Sequence, residues 1–283
     1  RFGEQKDFHL TGRLNYTKYE RLYMKILVTG GLGWLGKAIT EVVSQNHEVC
    51  AFDLETPDVE RERIKFNGEK LFGSVTDFGQ VQDAVKGKDA IIHAAVASTV
   101  TRNQYADVSD SMPFEVNIRG TCNILEAARR EGVEQIIQIA SAETHVAHPA
   151  GTFLDKDAPY YGQPTYYDLT KTLQEKIGRW FAHHYDLRIA FLRLGDVVDV
   201  GLGHAKKGEE SWNESIRTEA WIDRYDAANA CLKLLQHTFS GVEVFHLVGS
   251  PSAPEKFDIE RTLQSLGLNI TTDIDKRPAS KRE

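Results

Sequence analysis

The segment Lys25–Gly36, KILVTGGLGWLG, constrains the fold more than any other part of the chain. Its first five residues are a short, mostly apolar run of the kind buried on both faces of a sheet. Glycines follow at Gly30, Gly33 and Gly36, and apolar residues at helical spacing continue over 34–44. A glycine turn between a strand and a helix lets backbone N–H groups approach an anion at the helix N-terminus, where the aligned peptide dipoles favour negative charge. The last glycine permits close helix–strand packing. A tight turn without a ligand is the alternative for such a loop taken alone. Asp53 adds a second constraint, because it lies 20 residues past Gly33 at the end of the strand EVCAFD. A carboxylate there accepts from both hydroxyls of a ribose and repels a 2′-phosphate, so the pair of features points to a dinucleotide, NAD rather than NADP. Arg61 and Arg63 follow closely and offer the opposite choice. A capping role for Asp53 is compatible with either cofactor.

The rhythm of the chain extends this unit. Strands are expected at 48–53, 70–75, 89–95, 134–140, 187–194 and 242–248, and helices at 113–131, 165–185, 223–236 and 258–266. Residues 195–208, rich in glycine and charge, read as loop. Repeated βα units imply a parallel sheet covered by helices on both faces. The expected class is α/β, a Rossmann-like doubly wound parallel sheet with a small C-terminal substrate cap. Residues 24–194 form the dinucleotide-binding part, and 195–283 the cap, with segments returning to the sheet. Residues 1–23 are polar and read as an extension or tag-like arm, with Met24 having the look of a natural start; a segment that packs on a partner is the alternative.

Composition removes several classes. Hydrophobic residues at 41% and charged residues at 27% exclude a disordered chain or a coiled coil. The net charge is −7 and there is no basic run, so no nucleic-acid partner is expected. No apolar run approaches the ~20 residues that span a bilayer, so no membrane is expected. Three scattered cysteines, Cys50, Cys122 and Cys231, without a C-x-x-C spacing, argue against a disulfide scaffold and for a reducing, cytoplasmic setting.

Chemistry is suggested by Tyr167 and Lys171, placed i and i+4 on one helix face. A nearby ammonium favours the phenolate and lowers a tyrosine pKa from near ~10. Ser141, just after the strand 134–140, lies 26 residues before Tyr167 and offers a hydroxyl to hold a substrate oxygen. Alone, the helical pair reads as exposed and the serine as a strand-end cap.

With VTGGLGWLG, FDLE, IIHAA, VNIRGTCNILEAARREGV, IASAE, YYDLTK and FLRLGD in this order, the chain resembles the extended short-chain dehydrogenase/reductase group, the NAD-dependent epimerase/dehydratase family. The resemblance runs from Met24 to about Gly267. It implies Tyr167 as general acid/base, Lys171 as its tuner and a ribose ligand, and Ser141 as the third member. It implies a cofactor site of Gly30, Gly33, Trp34, Leu35, Asp53, Leu54, Ser74, Val75, Ala94, Ala95, Val96, Asn117, Tyr167 and Lys171. Substrate contacts are implied at Ser98, Ser141, Ala142 and Asp196. A homodimer through helices 113–131 and 165–185 is also implied.

Departures narrow the reading. Ser74 follows Gly73 where the family usually has aspartate. Asp196 stands where asparagine is common, and His145 falls near the tyrosine of a V-Y-G segment. Ala142-Glu143 replaces the Asp-Glu pair of dehydratases, which argues against dehydration. The stretch 195–221 has only 27 residues, short for a nucleotide-sugar cap, and suggests a small sugar-like substrate, as in the compact uronate dehydrogenases. The expected activity is therefore NAD-dependent hydride transfer at a sugar-like hydroxyl or carbonyl. The alternatives are a nucleotide-sugar epimerase with no net redox change and a non-catalytic dinucleotide sensor. No metal is expected: His145 and His148, and His183 and His184, lack acidic or cysteine partners. His93 is assigned to the cofactor wall. Trp212 and Trp221 face substrate or pack, and Arg217 holds a substrate anion or is simply exposed.

Overall fold

The computed structural model describes residues 23–55, 66–97, 111–205, 220–270 and 272. The arm 1–22, Arg61, Arg63, Ser98, Trp212 and Arg217 lie outside the described residues. In chain order the elements are β1 (Lys25–Thr29), α1 (Trp34–Val43), β2 (Glu48–Asp53), β3 (Glu69–Phe72), α2 (Phe78–Val85) and β4 (Ala90–His93). A π-helical turn (Phe114–Arg119) runs into α3 (Gly120–Glu131), and β5 (Gln135–Ser141) runs into a 3-10 turn (Ala142–His145). Then come α4 (Tyr166–His184), β6 (Arg188–Leu194), β7 (Asp196–Asp199), β8 (His204–Ala205), β9 (Trp221–Asp223), α5 (Arg224–Gln236), β10 (Val242–Leu247), α6 (Ala253–Lys256) and α7 (Ile259–Leu266).

Seven strands form one sheet in the order β10-β6-β5-β4-β1-β2-β3, with every neighbouring pair parallel. This is the doubly wound, Rossmann-like topology, and the winding reverses between β1 and β4. The alternation of a pleated strand explains why β1 is apolar throughout. Ile26 and Val28 pack on one face with Ile39 and Val43 of α1 and Leu234 of α5. Leu27 packs on the other with Val81 of α2 and Ile124 of α3.

The structure departs from the sequence reading in three places. The expected loop 195–208 contains β7 and β8, which join β9 in a small second sheet of order β8-β7-β9. Strands of two to four residues leave no periodicity to detect, and β7 pairs with β9 across 22 residues of sequence. Helix α2 was not expected, although Asp77 accepts from the Gln80 N–H at 3.0 Å as its N-cap. That capping pattern is visible in D77-x-x-Q80. The helix expected over 113–131 is a π-helical turn followed by a regular helix.

One buried ion pair fixes α4 against the sheet. Arg193, on central strand β6, donates from Nε and Nη2 to both carboxylate oxygens of Glu175 on α4, each at 2.9 Å. Both side chains are buried. Tyr160 donates its hydroxyl to Glu175 Oε2 at 2.8 Å, and Arg193 Nη1 donates to the Lys156 carbonyl at 3.4 Å. The pair therefore joins β6, the 156–160 segment and the helix that carries Tyr167 and Lys171.

Removing one partner strands a buried charge. Glu175→Leu is expected to cost about 3–5 kcal/mol in urea unfolding, and adding Arg193→Met to recover most of that loss. Additive penalties in the double-mutant cycle would contradict this account.

Candidate active site

The C-terminal ends of β1, β2, β4 and β5 converge at the reversal point of the sheet. β1 leads into Gly30, whose φ of +67° suits glycine. A Cβ there would lie 2.8 Å from the backbone N and Cα of Ala95, and one on Gly36 would lie 1.9 Å from the Gly30 carbonyl oxygen. The turn is thus closed on two sides by other backbone, and α1 starts at Gly33 without a side-chain cap. Asp53 stands beside it. Its Oδ2 accepts the Leu32 N–H at 3.0 Å and its Oδ1 the Leu54 N–H at 2.8 Å. A helix N-terminus, an uncapped glycine turn and a carboxylate at the next strand end make the cradle that a dinucleotide requires.

Trp34 and Leu35 open α1, but their side chains serve packing. The Trp34 indole N–H donates to the Val197 carbonyl on β7 at 3.0 Å, and the Arg224 guanidinium lies 4.3 Å over its ring. Arg224 also pairs with Asp199 at 2.5 Å. Leu35 packs on the α1 side of the core.

The opposite wall follows β4. Ala94 and Ala95 donate to the Thr29 carbonyl and hydroxyl at 3.1 and 3.3 Å, and Val96 is more exposed. Asn117, buried in the π-helical turn, clamps this wall: its side chain accepts from the Ala97 N–H at 2.8 Å and donates to the Ala97 carbonyl at 3.0 Å. It also donates to Thr170 Oγ1 on α4 at 2.9 Å. His93 lies behind the wall rather than on it. It is fully buried between the Thr29 and Thr121 hydroxyls, and burial pushes its pKa down to about 3. Ser74 and Val75 follow β3; Val75 is buried against Gly120, and Ser74 Oγ bonds to the Thr76 hydroxyl at 2.8 Å.

Ser141, Tyr167 and Lys171 come together. Ser141 ends β5, nearly buried, and its Oγ accepts the Glu143 N–H at 3.2 Å. Its hydroxyl lies near the Tyr167 phenol and favours the ionised form. Lys171 is 3% exposed, donates to the Ile139 carbonyl at 3.0 Å, and lies 6.0 Å from the Tyr167 ring centre. Burial lowers the Lys171 pKa to about 8, against the opposing pull of Glu175 and Glu143.

The expected effect of Lys171 on the phenol is corrected here. Burial, followed by the Glu143 carboxylate, raises the Tyr167 pKa above its ordinary value, and the nearby Ser141 hydroxyl only partly offsets this. The sequence reading placed Asp196 at the site but missed Glu143 and Asp168. Burial of Glu143, together with the nearby Asp196 and Asp168 carboxyls, raises its pKa to about 8. Asp168 is buried and accepts the Gln163 N–H at 2.6 Å. The available signals were positional: Asp168 sits inside Y-x-x-x-K, and Glu143 stands two residues past Ser141.

Two substrate assignments change character. Ala142 is fully buried in an apolar cluster with Leu154 and Phe257, so its side chain is not available to a ligand. Trp221 packs with Val198 and Val200 in the small sheet, which settles it as a packing residue. His145 is buried, bonded to the Thr144 hydroxyl and the Ala158 carbonyl at 2.8 and 3.1 Å.

Comparison with known proteins places this arrangement. The sequence model of the NAD dependent epimerase/dehydratase family matches residues 26–248. An L-arabinose 1-dehydrogenase (NAD(P)(+)) of Haloferax volcanii is 26% identical over 254 residues, spanning 86% of this chain and 94% of that protein. The crystal structure of uronate dehydrogenase from Agrobacterium tumefaciens superposes with a TM-score of 0.70 at 21% identity, covering 90% of this chain and 86% of that one. UDP-glucose 4-epimerase from Bifidobacterium longum, in complex with NAD+ and UDP, gives 0.71 at 17% identity, covering 90% and 96%. At these identities the two structures share the fold.

Two outcomes follow from the site's packing and charge. Gly36→Ala drives a methyl into the Gly30 carbonyl and is expected to cost about 1–3 kcal/mol in urea unfolding. The folded state holds a proton on Glu143 that the unfolded chain releases near pH 4.5, so its contribution to stability is complete below that value and is lost as pH rises through about 8. The fall in the wild-type urea midpoint between pH 5 and 8, measured relative to Glu143→Gln, checks the sign.

Proposed function

The chain belongs to the NAD dependent epimerase/dehydratase family, and from that premise we propose that it is an NAD-dependent dehydrogenase oxidising a hydroxyl of a small sugar-like substrate with Ser141, Tyr167 and Lys171. The observation that carries the reading is the meeting of the Ser141 hydroxyl at the end of β5 with the Tyr167 phenol on α4, with buried Lys171 beside the ring. NAD fits the residues present, because the Gly30–Gly36 cradle admits no Cβ and Asp53 offers acceptors at the ribose end. Bound there, NAD supplies the hydride acceptor. Ser141 orients the substrate oxygen, and Tyr167, whose phenol is protonated at rest, takes the hydroxyl proton as general base once its own proton has left. Lys171, buried and held by the Ile139 carbonyl, keeps the phenol and the cofactor ribose in register. NAD is preferred to NADP because Asp53 repels a 2′-phosphate. The short stretch 195–221, together with the arabinose dehydrogenase relative, supports a small substrate.

Among the described residues, no helix is long and apolar enough to cross a membrane. The proposed assembly is a homodimer through α3 and α4. Tyr166, Leu169 and Trp180 are exposed along α4, and Met112 is exposed at the start of the π-helical turn.

Absorbance of NADH tests the activity. Purified protein with NAD and a panel of free sugars, sugar acids and nucleotide sugars should accumulate NADH with one small sugar-like compound. Conversion of a nucleotide sugar without net NADH would replace the reading with epimerisation. Tyr167→Phe should lower kcat by about 10²–10⁴ while leaving NAD binding in place; unchanged turnover would remove the catalytic assignment. Trp180→Asp should yield a monomer by light scattering if α4 forms the dimer face.

A further inference from the structure

Trp34 is the first residue of α1, directly after the glycine turn, and contacts from the small sheet and from the start of α5 converge on it. Its indole N–H donates to the Val197 carbonyl of β7 at 3.0 Å. The Arg224 guanidinium lies 4.3 Å over its ring, and Arg224 Nη1 donates to its backbone carbonyl at 3.3 Å. Arg224 is itself held, because Nη2 pairs with Asp199 Oδ2 at 2.5 Å and Asp199 Oδ1 accepts the Leu202 N–H at 2.8 Å. Arg224 and Asp199 are both buried. The two residues that grip Trp34 lie 163 and 190 positions from it in the sequence. A separate link reaches α1 further along, where the Tyr225 hydroxyl donates to Glu41 at 3.2 Å.

The N-terminus of α1 receives no help from its own side chains. Its N-cap is Gly33, no side chain caps it, and its first turn carries no acid. First-turn N–H groups have no acceptor within the helix. A pyrophosphate at this end is met by several of them at once, so affinity depends on how firmly they are held before the ligand arrives. The glycines allow a close approach but leave the backbone free to move. We propose that Arg224 is a positioning residue for the dinucleotide: together with Val197 it clamps Trp34 and holds the first turn of α1 in the orientation that meets the pyrophosphate. The inference rests on the NAD reading above and extends that site to the small sheet. Arginine suits the task, because one planar group reaches the Trp34 carbonyl and Asp199 with separate nitrogens while its face covers the indole. Asp199 neutralises the guanidinium, so Arg224 acts through orientation and not through charge on the ligand.

Calorimetric titration of the full chain with NAD, and with ADP-ribose, which shares the pyrophosphate but lacks the nicotinamide, tests this. Arg224→Gln combined with Asp199→Asn removes both buried charges together, so neither is stranded. Trp34→Phe removes the indole donor and leaves the ion pair in place. In variants whose circular dichroism matches wild type, Kd for both ligands is expected to rise about tenfold. Tyr225→Phe releases α1 only at Glu41, and should lower the urea midpoint without moving either Kd. An unchanged Kd in the folded variants, a loss seen with NAD but not with ADP-ribose, or an equal loss in Tyr225→Phe overturns the proposal and leaves the NAD reading standing. Absence of NAD binding by the wild-type chain removes both.

Discussion

Arg193 and Glu175 carry more of this architecture than their position suggests. The guanidinium comes from a central parallel strand, where a charge is costly unless its partner is fully engaged. Here both carboxylate oxygens receive guanidinium donors, and the Tyr160 hydroxyl adds a third bond. The pair sits one helical turn past Lys171 on α4. It therefore sets the height of that helix against β5 and β6, and with it the distance of Tyr167 from Ser141. It also supplies a negative charge that opposes the lowering of the Lys171 pKa by burial. Apolar packing alone would hold α4 against the sheet with less control over its register, because hydrophobic burial is non-directional.

The surroundings of the phenol set a chemical condition on the reaction. Lys171 is close enough to matter, yet its burial weakens the charge it offers. Glu143, Asp168 and Asp196 pull the other way and hold the proton on Tyr167. The resting site therefore keeps a neutral phenol, which has to lose its own proton before Tyr167 can accept one from a substrate hydroxyl.

Much of the fold was legible before any coordinates. The Gly30–Gly36 turn and Asp53 carried enough positional information to place the first βαβ unit, since each residue type answers to one steric or electrostatic demand. The strands β1, β2 and β6 and the long helix α4 fell within a residue or so of their positions, because their apolar runs are long relative to their ends. The small sheet of β7, β8 and β9 was not legible. Its strands are too short to show a period, and its pairing is non-local. Helix α2 was missed for a different reason: its one clear signal, the Asp77 cap, was overlooked. At the site, Ser141, Tyr167, Lys171 and Asp196 could be named from spacing and resemblance, whereas the part Glu143 and Asp168 play there could not. Glu143 and Asp196 are 53 residues apart in sequence, and nothing local links them.

The sequence by itself determined the class of fold, the dinucleotide turn and the identity of the hydroxyl, phenol and ammonium groups. These are properties of residue type and local spacing. Only the tertiary structure decided the direction of the tyrosine's pKa, the inward turn of Ala142 and Trp34, and the meeting of Glu143 with Asp196. Burial and electrostatic coupling depend on which atoms are brought together in space, and in a parallel sheet the ends of neighbouring strands bring together residues that the chain keeps far apart.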